Sequence, residues 1–257
     1  MTTRGQTFPT GAFWPTGKRF CSAAMTPRAE VEGAIRDEHR ANRKNPPCKE
    51  GLNGQWPEMM DILLNRRKSM TVKRVLILKG SPRPKGNSST LADQVANGAK
   101  AAGANVESFN LHDMVIKPCD ACEACHKTGD GECVIDDDMQ ILYPKLRAAD
   151  VIVLASPIYW FTMSAQLKLC VDRWYALDQP GGHALTGKQF AVVLAYGDAD
   201  PVISGAVNAI HTFQDMCRYV KADLVGMVYG TASDEGDVQK QPALMERAYK
   251  LGQMLGS

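Results

Sequence analysis

Short apolar segments alternate with amphipathic segments from residue 73 to the end of the chain. The segments that have strand character are 75–78, 105–111, 151–155, 190–195 and 224–228. The segments with a helical repeat are 88–102, 138–148, 165–175, 207–219 and 243–255. Continuous apolar runs such as 151–155 are typical of strands buried on both faces of a parallel sheet. This alternation predicts a doubly wound α/β domain.

Ligands of such folds bind beyond the carboxyl ends of the strands, where the strand order reverses. The loop at 80–90 follows the first predicted strand and leads into a helix, whose amino-terminal N–H groups and dipole favour an anion. Its hydrogen-bonding side chains are Ser81, Arg83, Asn87, Ser88, Ser89 and Thr90. The glycines match neither the Walker A nor the GxGxxG spacing. We predict a phosphate site, and the alternative is an ordinary serine-rich turn that caps a helix.

Two further loops have features that suit a flat ligand. Residues 156–161 read Ser-Pro-Ile-Tyr-Trp-Phe, and aromatic side chains on such a loop are costly to expose unless they cover something flat and apolar. An isoalloxazine ring has this character. The alternative is that Trp160 and Phe161 pack in the core. After the fourth strand, Gly197 beside Tyr196 lets the backbone approach a ring edge closely.

These motifs resemble those of the NADPH-dependent FMN reductase branch of the flavodoxin-like superfamily. The resemblance rests on Gly-Ser-Pro-Arg at 80–83, Gly-Asn-Ser-Ser-Thr at 86–90 and Ser-Pro-Ile-Tyr-Trp at 156–160, and it covers residues 73–230. It implies a five-stranded parallel sheet in the order 2-1-3-4-5, with FMN as cofactor and NAD(P)H as electron donor. The six polar side chains of the first loop would then hold the FMN phosphate. The flavin would be lined by Pro157, Ile158, Tyr159, Trp160, Phe161, Tyr196 and Gly197.

Four of the eight cysteines lie close together between the second and third strands, at Cys119, Cys122, Cys125 and Cys133. Three closely spaced thiolates and a fourth nearby can hold one iron–sulfur cluster, whereas zinc sites more often pair two Cys-x-x-Cys units. The arrangement resembles that of the iron–sulfur flavoproteins, a subgroup of the same reductases, which implies a [4Fe-4S] cluster that exchanges electrons with FMN. Zinc, a redox-active thiol pair and a loop without metal remain open as alternatives.

Residues 1–72 differ from the rest of the chain. The first 29 residues contain neither Asp nor Glu and are interrupted by glycine and proline. We predict an amino-terminal extension over 1–72, partly disordered or helical, and a flavodoxin-like FMN-binding domain over 73–257. The net charge is only +2, which gives no reason to expect nucleic acid or a membrane as partner. The clustered cysteines and the lack of a signal-peptide pattern predict a cytoplasmic protein.

The combined prediction is an FMN-dependent oxidoreductase that passes electrons from NAD(P)H to a small molecule such as a quinone or a flavin. One alternative is an iron–sulfur flavoprotein that exchanges electrons with ferredoxin through its cluster. Another is a flavodoxin-shaped binding module without catalysis. No side chain is predicted to be catalytic, because the flavin supplies the reactivity. A homodimer or a higher homo-oligomer is implied by the resemblance. The sequence identifies neither the acceptor nor the preferred nicotinamide.

Overall fold

The computed structural model describes residues 72–127 and 131–257. The predicted amino-terminal extension therefore lies outside the described residues, except for Val72. Within the described ranges, no helix is long and apolar enough to cross a membrane.

Five parallel strands form the central sheet. They are β1 (Arg74–Lys79), β2 (Asn105–Asn110), β3 (Val151–Tyr159), β4 (Gln189–Tyr196) and β5 (Asp223–Thr231). Hydrogen bonds join them in the order β2-β1-β3-β4-β5. The predicted order 2-1-3-4-5 is thus confirmed. The order reverses at β1, so the carboxyl ends of β1 and β3 form the switch point at which ligands of such folds bind.

Helices cover both faces of this sheet. They are α1 (Asn87–Ala101), α2 (Met139–Ala148), α3 (Ala165–Asp172), α4 (Ala206–Val220) and α5 (Pro242–Gly256). Successive strand residues point to opposite faces, so Val75 and Ile77 pack in the core layer beneath α1 and α5. Leu76 and Leu78 pack in the other layer, beneath α2, α3 and α4. The two layers explain why the strands are apolar at every position rather than at alternate positions.

Two predicted boundaries are wrong in an informative way. The segment 156–159, predicted as a loop, continues β3: Ser156 and Pro157 pair with β4, and Ile158 and Tyr159 pair antiparallel with the short strand Thr162–Met163. Trp160 and Phe161 form the turn of this hairpin with φ angles of 45° and 67°, the left-handed values that two-residue hairpin turns require. The helix predicted over 165–175 ends at Asp172, where a 3₁₀ helix over Arg173–Leu177 begins. That tighter turn buries Arg173.

Candidate functional site

A cavity of about 240 Å³ opens at the carboxyl edge of the sheet, beside the switch point. Nine of the predicted cofactor-binding residues line it: Ser81, Arg83, Asn87, Ser88, Pro157, Ile158, Tyr159, Tyr196 and Gly197. Its other lining residues are Gly86, Ala195, Ala232 and Ser233. The loop after β1, the carboxyl ends of β3 and β4, and the segments that follow β4 and β5 therefore contribute to one cavity, as expected when parallel strands end at the same edge.

Ser81 shapes the loop between β1 and α1. Its Oγ accepts a hydrogen bond from the Arg83 N–H (3.1 Å) and donates one to the Arg83 carbonyl (3.1 Å). The Arg83 carbonyl also accepts a bond from the Gly86 N–H (3.0 Å), which closes the turn directly before α1. The side chain of Arg83 is exposed at the cavity. The loop is thus held by its own hydrogen bonds, with a cation at its rim.

Ser88 presents an unpaired polar group at this end of the cavity. The residue is 1% exposed, and its Oγ has no hydrogen-bond partner in the structure. Gly86 occupies the position directly before α1, and because glycine has no side chain it leaves the first N–H groups of the helix without a side-chain cap. Buried polar atoms are almost always paired, and the first N–H groups of a helix need acceptors. An anion such as a phosphate would supply those acceptors, so this end of the cavity fits a phosphate group.

Asn87 was predicted as a phosphate donor, but its side chain is committed elsewhere. Its Nδ2 donates to the Asp234 carbonyl (2.7 Å), and its Oδ1 accepts from the Val238 N–H (3.4 Å). Both partners belong to the segment that follows β5, which also carries the cavity residue Ser233. Asn87 therefore ties the start of α1 to the opposite wall of the cavity.

Replacing Asn87 with alanine is expected to weaken the binding of FMN and of riboflavin to a similar extent, about fivefold to tenfold. The reason is that the wall at Ser233 loses its anchor, whereas no phosphate contact is removed. Fluorescence titration of the apoprotein with each flavin measures both affinities. Ser88→Ala is the matched control and should weaken FMN alone. A loss confined to FMN in Asn87→Ala would contradict this assignment and indicate a phosphate contact.

Two buried serines join the wall formed by Pro157, Ile158 and Tyr159 to the first loop. Ser164 Oγ donates to the Gly80 carbonyl (2.7 Å), and the Ser164 N–H donates to Ser156 Oγ (2.9 Å). Both serines are fully buried. Since Gly80 directly precedes Ser81, the extended end of β3 is fixed against the loop that approaches α1.

The opposite wall comes from the loops after β4 and β5. Ser233 Oγ donates to the Gly197 carbonyl (2.9 Å), and Thr231 Oγ1 donates to the Asp198 carbonyl (2.9 Å). These bonds orient the backbone of the Gly197 loop. Gly86, Ala195, Ala232 and Ser233 also line the cavity and were not among the predicted cofactor-binding residues. The contribution of the loop after β5 to the cavity could have been predicted from the sequence, because the loops at the carboxyl ends of neighbouring strands converge.

Four predicted residues lie outside the cavity lining. Ser89 is buried within α1, and Thr90 Oγ1 donates to the Lys85 carbonyl (3.5 Å). Trp160 and Phe161 occupy the hairpin turn with 91% and 51% exposure. Phe161 is held there because its carbonyl accepts a bond from Asn208 Nδ2 (3.1 Å).

The four clustered cysteines occupy different environments. Cys119 and Cys122 are exposed, Cys125 is buried in the core and Cys133 is half-buried. Among the residues that the structure describes, no three His, Cys, Asp or Glu side chains are placed to hold a metal ion. The four sulfurs therefore do not converge on one point, because Cys119 and Cys122 lie at the surface whereas Cys125 turns into the core.

The four cysteines nonetheless lie within 15 residues of one segment, Cys119 to Cys133. Burial raises the pKa of the Cys125 thiol, and the charges of Cys133, Cys122 and Cys119 raise it further. Four thiols from one segment are a donor set that suits iron–sulfur or zinc chemistry. The donors fit a cluster chemically, and holding one would require their side chains to turn toward each other.

Residues 73–232 match the model of the NADPH-dependent FMN reductase family. An iron–sulfur flavoprotein of Methanocaldococcus jannaschii is 38% identical over 100 residues, which are 39% of this chain and about half (51%) of that relative. An iron–sulfur flavoprotein of Methanosarcina thermophila is 34% identical over 166 residues, 65% of this chain and 82% of the relative.

The fold also has solved counterparts. The NAD(P)H:quinone oxidoreductase from Methanothermobacter marburgensis superposes with a TM-score of 0.60. The superposition covers 73% of this chain and 98% of the other, with 19% sequence identity. At that identity the similarity supports the fold alone, and it agrees with the flavodoxin-like topology described above.

Proposed function

This chain belongs to the NADPH-dependent FMN reductase family, within which its relatives include iron–sulfur flavoproteins, and we propose that its cavity binds FMN and passes electrons from NAD(P)H to an acceptor. The predicted enzyme class, an oxidoreductase, is confirmed by this membership. The proposal concerns which residues hold the cofactor, which acceptor is reduced and whether a second redox group takes part.

One observation supports the proposal above the others: the unpaired, buried Ser88 hydroxyl at the uncapped start of α1. A single phosphate would satisfy this hydroxyl together with the first N–H groups of the helix, and Arg83 would add a charge-assisted bond. The polar end of this cavity of about 240 Å³ contains one helix start, which fits one terminal phosphate. The site therefore suits a flavin mononucleotide better than a dinucleotide.

The protein would bind and orient the cofactor rather than act on a substrate through an acid or a base. Pro157, Ile158 and Tyr159 would cover one side of the flavin ring, and Tyr196 with Gly197 would approach it from the neighbouring strand. When bound, FMN supplies the hydride and electron transfer of the reaction. Ser233 would keep the Gly197 carbonyl directed at its own hydroxyl and so fix the backbone beside the ring.

Release of the cofactor from denatured protein tests this proposal. We expect FMN, and not FAD, to be recovered at close to one per chain when the purified protein is denatured and the supernatant is analysed by chromatography. NAD(P)H should then bleach the flavin of the native protein, and a quinone should restore its colour. FAD as the main flavin would contradict the assignment of the phosphate site. FMN that NAD(P)H cannot reduce would instead indicate a binding module without catalysis.

A second candidate function follows from the cysteine segment. Its four thiols lie within 15 residues of one another, and both relatives described above are named iron–sulfur flavoproteins. In this form Cys119, Cys122, Cys125 and Cys133 would hold a [4Fe-4S] cluster, which supplies one-electron transfer, and ferredoxin would be the redox partner. The iron and sulfide content of anaerobically purified protein decides between the two forms.

Two further features suit a homo-oligomer in the cytoplasm. The cavity is slightly smaller than the roughly 300–1,000 Å³ of most ligand sites, and beside it the hairpin exposes Tyr159, Trp160 and Phe161. A second copy that covers these aromatic side chains would also enclose the flavin.

The six cysteines of the described residues are free thiols, as is usual in the cytoplasm.

A further inference from the structure

An ion pair that is almost completely buried lies beside the cysteine segment. Arg173 Nη1 and Asp137 Oδ2 are 2.5 Å apart, and the two side chains are 1% and 0% exposed. Neither residue lines the flavin cavity. Removing two charges from water costs several kcal/mol for each ion, and the pairing seldom adds net stability. The pair therefore calls for an explanation other than stability of the fold.

The hydrogen bonds of the pair close the base of the cysteine segment. Asp137 accepts bonds from the N–H groups of Lys117 (2.9 Å) and Met139 (3.0 Å). Arg173 Nη1 donates to the Lys117 carbonyl (2.9 Å). Lys117 lies two residues before Cys119, and Asp137 lies four residues after Cys133. Both ends of the segment that carries the four cysteines are thus fixed to one guanidinium.

The same guanidinium also contacts one of the sulfurs. Arg173 Nη2 donates a hydrogen bond to Cys133 Sγ at 3.2 Å. The backbone of Arg173 is held in turn, because its carbonyl accepts a bond from the buried hydroxyl of Tyr143 (3.1 Å). A cation that is anchored on one side by Asp137 and on the other by its own backbone therefore fixes the orientation of the Cys133 side chain.

We propose that Arg173 is a positioning residue for metal binding: anchored by Asp137, it holds Cys133 in place as one ligand of a cluster. Cys119, Cys122 and Cys125 would be the other ligands, and the charge of Arg173 would raise the reduction potential of that cluster. This inference rests on the iron–sulfur form of the proposed function. Hydrogen bonds to the sulfurs and nearby charge are the means by which proteins set cluster potentials. Arg173 supplies both a hydrogen bond and a positive charge at the same sulfur, that of Cys133.

Reconstitution tests the role in the cluster. Full-length wild-type protein, Arg173→Gln and Arg173→Lys are reconstituted anaerobically with ferrous iron and sulfide. Iron, sulfide and FMN are quantified, and the midpoint potential is measured by dye-coupled titration. Arg173→Gln should retain FMN but bind at least threefold less iron, and any cluster it holds should have a lower potential. Arg173→Lys, which keeps the charge but loses the planar fork, should fall between the two in both measurements.

Arg147→Gln is the matched control. Arg147 also holds the cysteine segment, since its Nη2 donates to the Gly131 carbonyl (3.1 Å), but the described contacts do not include a cysteine sulfur. This variant should match wild type in iron content and in potential. If Arg147→Gln and Arg173→Gln lose iron equally, Arg173 acts only by holding the segment, and the proposal is overturned.

Thiol labelling of the apoprotein separates failure of this inference from failure of the iron–sulfur function. Iodoacetamide labelling followed by peptide mass spectrometry reports each cysteine. In wild type the exposed Cys119 and Cys122 should react quickly and Cys133 slowly. In Arg173→Gln the rate at Cys133 should rise about tenfold, with Cys119 and Cys122 unchanged.

Each remaining outcome decides one of the two proposals. Wild type that binds FMN but no iron overturns the cluster and, with it, the role assigned to Arg173 in tuning. Iron binding by wild type, with unchanged Cys133 labelling and unchanged potential in Arg173→Gln, overturns the positioning role alone. If Arg173→Gln does not retain FMN and so fails to fold, the same comparison is made with Arg173→Lys.

Discussion

Replacing Gly86 with alanine is expected to weaken FMN binding by about 30-fold while the sheet stays folded. A Cβ at this position would lie 2.5 Å from Ser81 Oγ and 3.1 Å from the Arg83 carbonyl oxygen. Gly86 has φ −61° and ψ 153°, which alanine adopts without strain, so the lack of space alone causes the effect. Ser81 must leave both of its bonds to Arg83, so the free loop no longer holds the shape that binds phosphate, and restoring that shape on binding would cost about 1 kcal/mol for each bond.

Fluorescence titration of apoprotein with FMN measures this effect, and thermal unfolding confirms that the fold is kept. Lys85→Ala is the control, because its side chain is exposed in the same loop and should change the affinity by no more than about threefold. Wild-type affinity in Gly86→Ala would show that the turn held by Ser81 does not form the phosphate site.

The sheet was predictable because its physical cause is local and repeated. Val75 to Leu78 are all buried, and each belongs to one of the two core layers on opposite faces of the sheet. A strand covered on both faces must be apolar at every position, and right-handed crossovers allow few arrangements of such strands. The sequence pattern therefore determines both the class of fold and the edge at which a ligand binds.

The cavity was predictable only where one loop carries its own signal. The loop before α1 contains its turn, its polar side chains and its helix start within a few residues of each other. The partner of Asn87, by contrast, lies 147 residues away at Asp234. No local pattern indicates that an amide will be used by a distant loop rather than by a ligand, so the role of Asn87 required the structure.

Trp160 shows a second reason why the sequence could not predict every site residue. An aromatic run on an active-face loop correctly indicated the neighbourhood of the cavity, but pairing of Ile158 with Met163 forms a hairpin. The turn then places Trp160 at the tip with 91% exposure. Whether such a run is a loop or a hairpin depends on a short antiparallel pairing whose signal is only two residues long.

Arg173 was missed for a related reason. In the sequence it belongs to a helical pattern, where a charged residue is usually exposed. The 3₁₀ turn that follows α3 rotates it inward, where it meets Asp137 and Cys133, 36 and 40 residues earlier in the chain. Burial of a charge is decided by such distant partners, which a single sequence does not show.

The packing of α1 against α5 depends on two glycines that the sequence pattern treats as ordinary helix positions. A Cβ on Gly98 would lie 2.0 Å from the Tyr249 carbonyl oxygen, and a Cβ on Gly252 would lie 2.0 Å from the Val95 carbonyl oxygen. Both obstructing atoms belong to helix backbone and cannot rotate away. Glycine at these positions thus allows the two helices to approach each other closely.

Gly252→Ala is therefore expected to lower the free energy of unfolding by about 2 kcal/mol. Separating the helices costs about 3 kcal/mol, the upper end of the usual range for overpacking, and the better helix propensity of alanine returns about 1 kcal/mol. Urea unfolding measures the change, with the exposed neighbour Gln253→Ala as a control that should stay within about 0.5 kcal/mol of wild type. Stability equal to that of wild type would contradict this prediction, because it would show that α1 and α5 accommodate the added methyl group without loss of packing. FMN affinity should hardly change, because Val95 lies more than two helical turns from the start of α1.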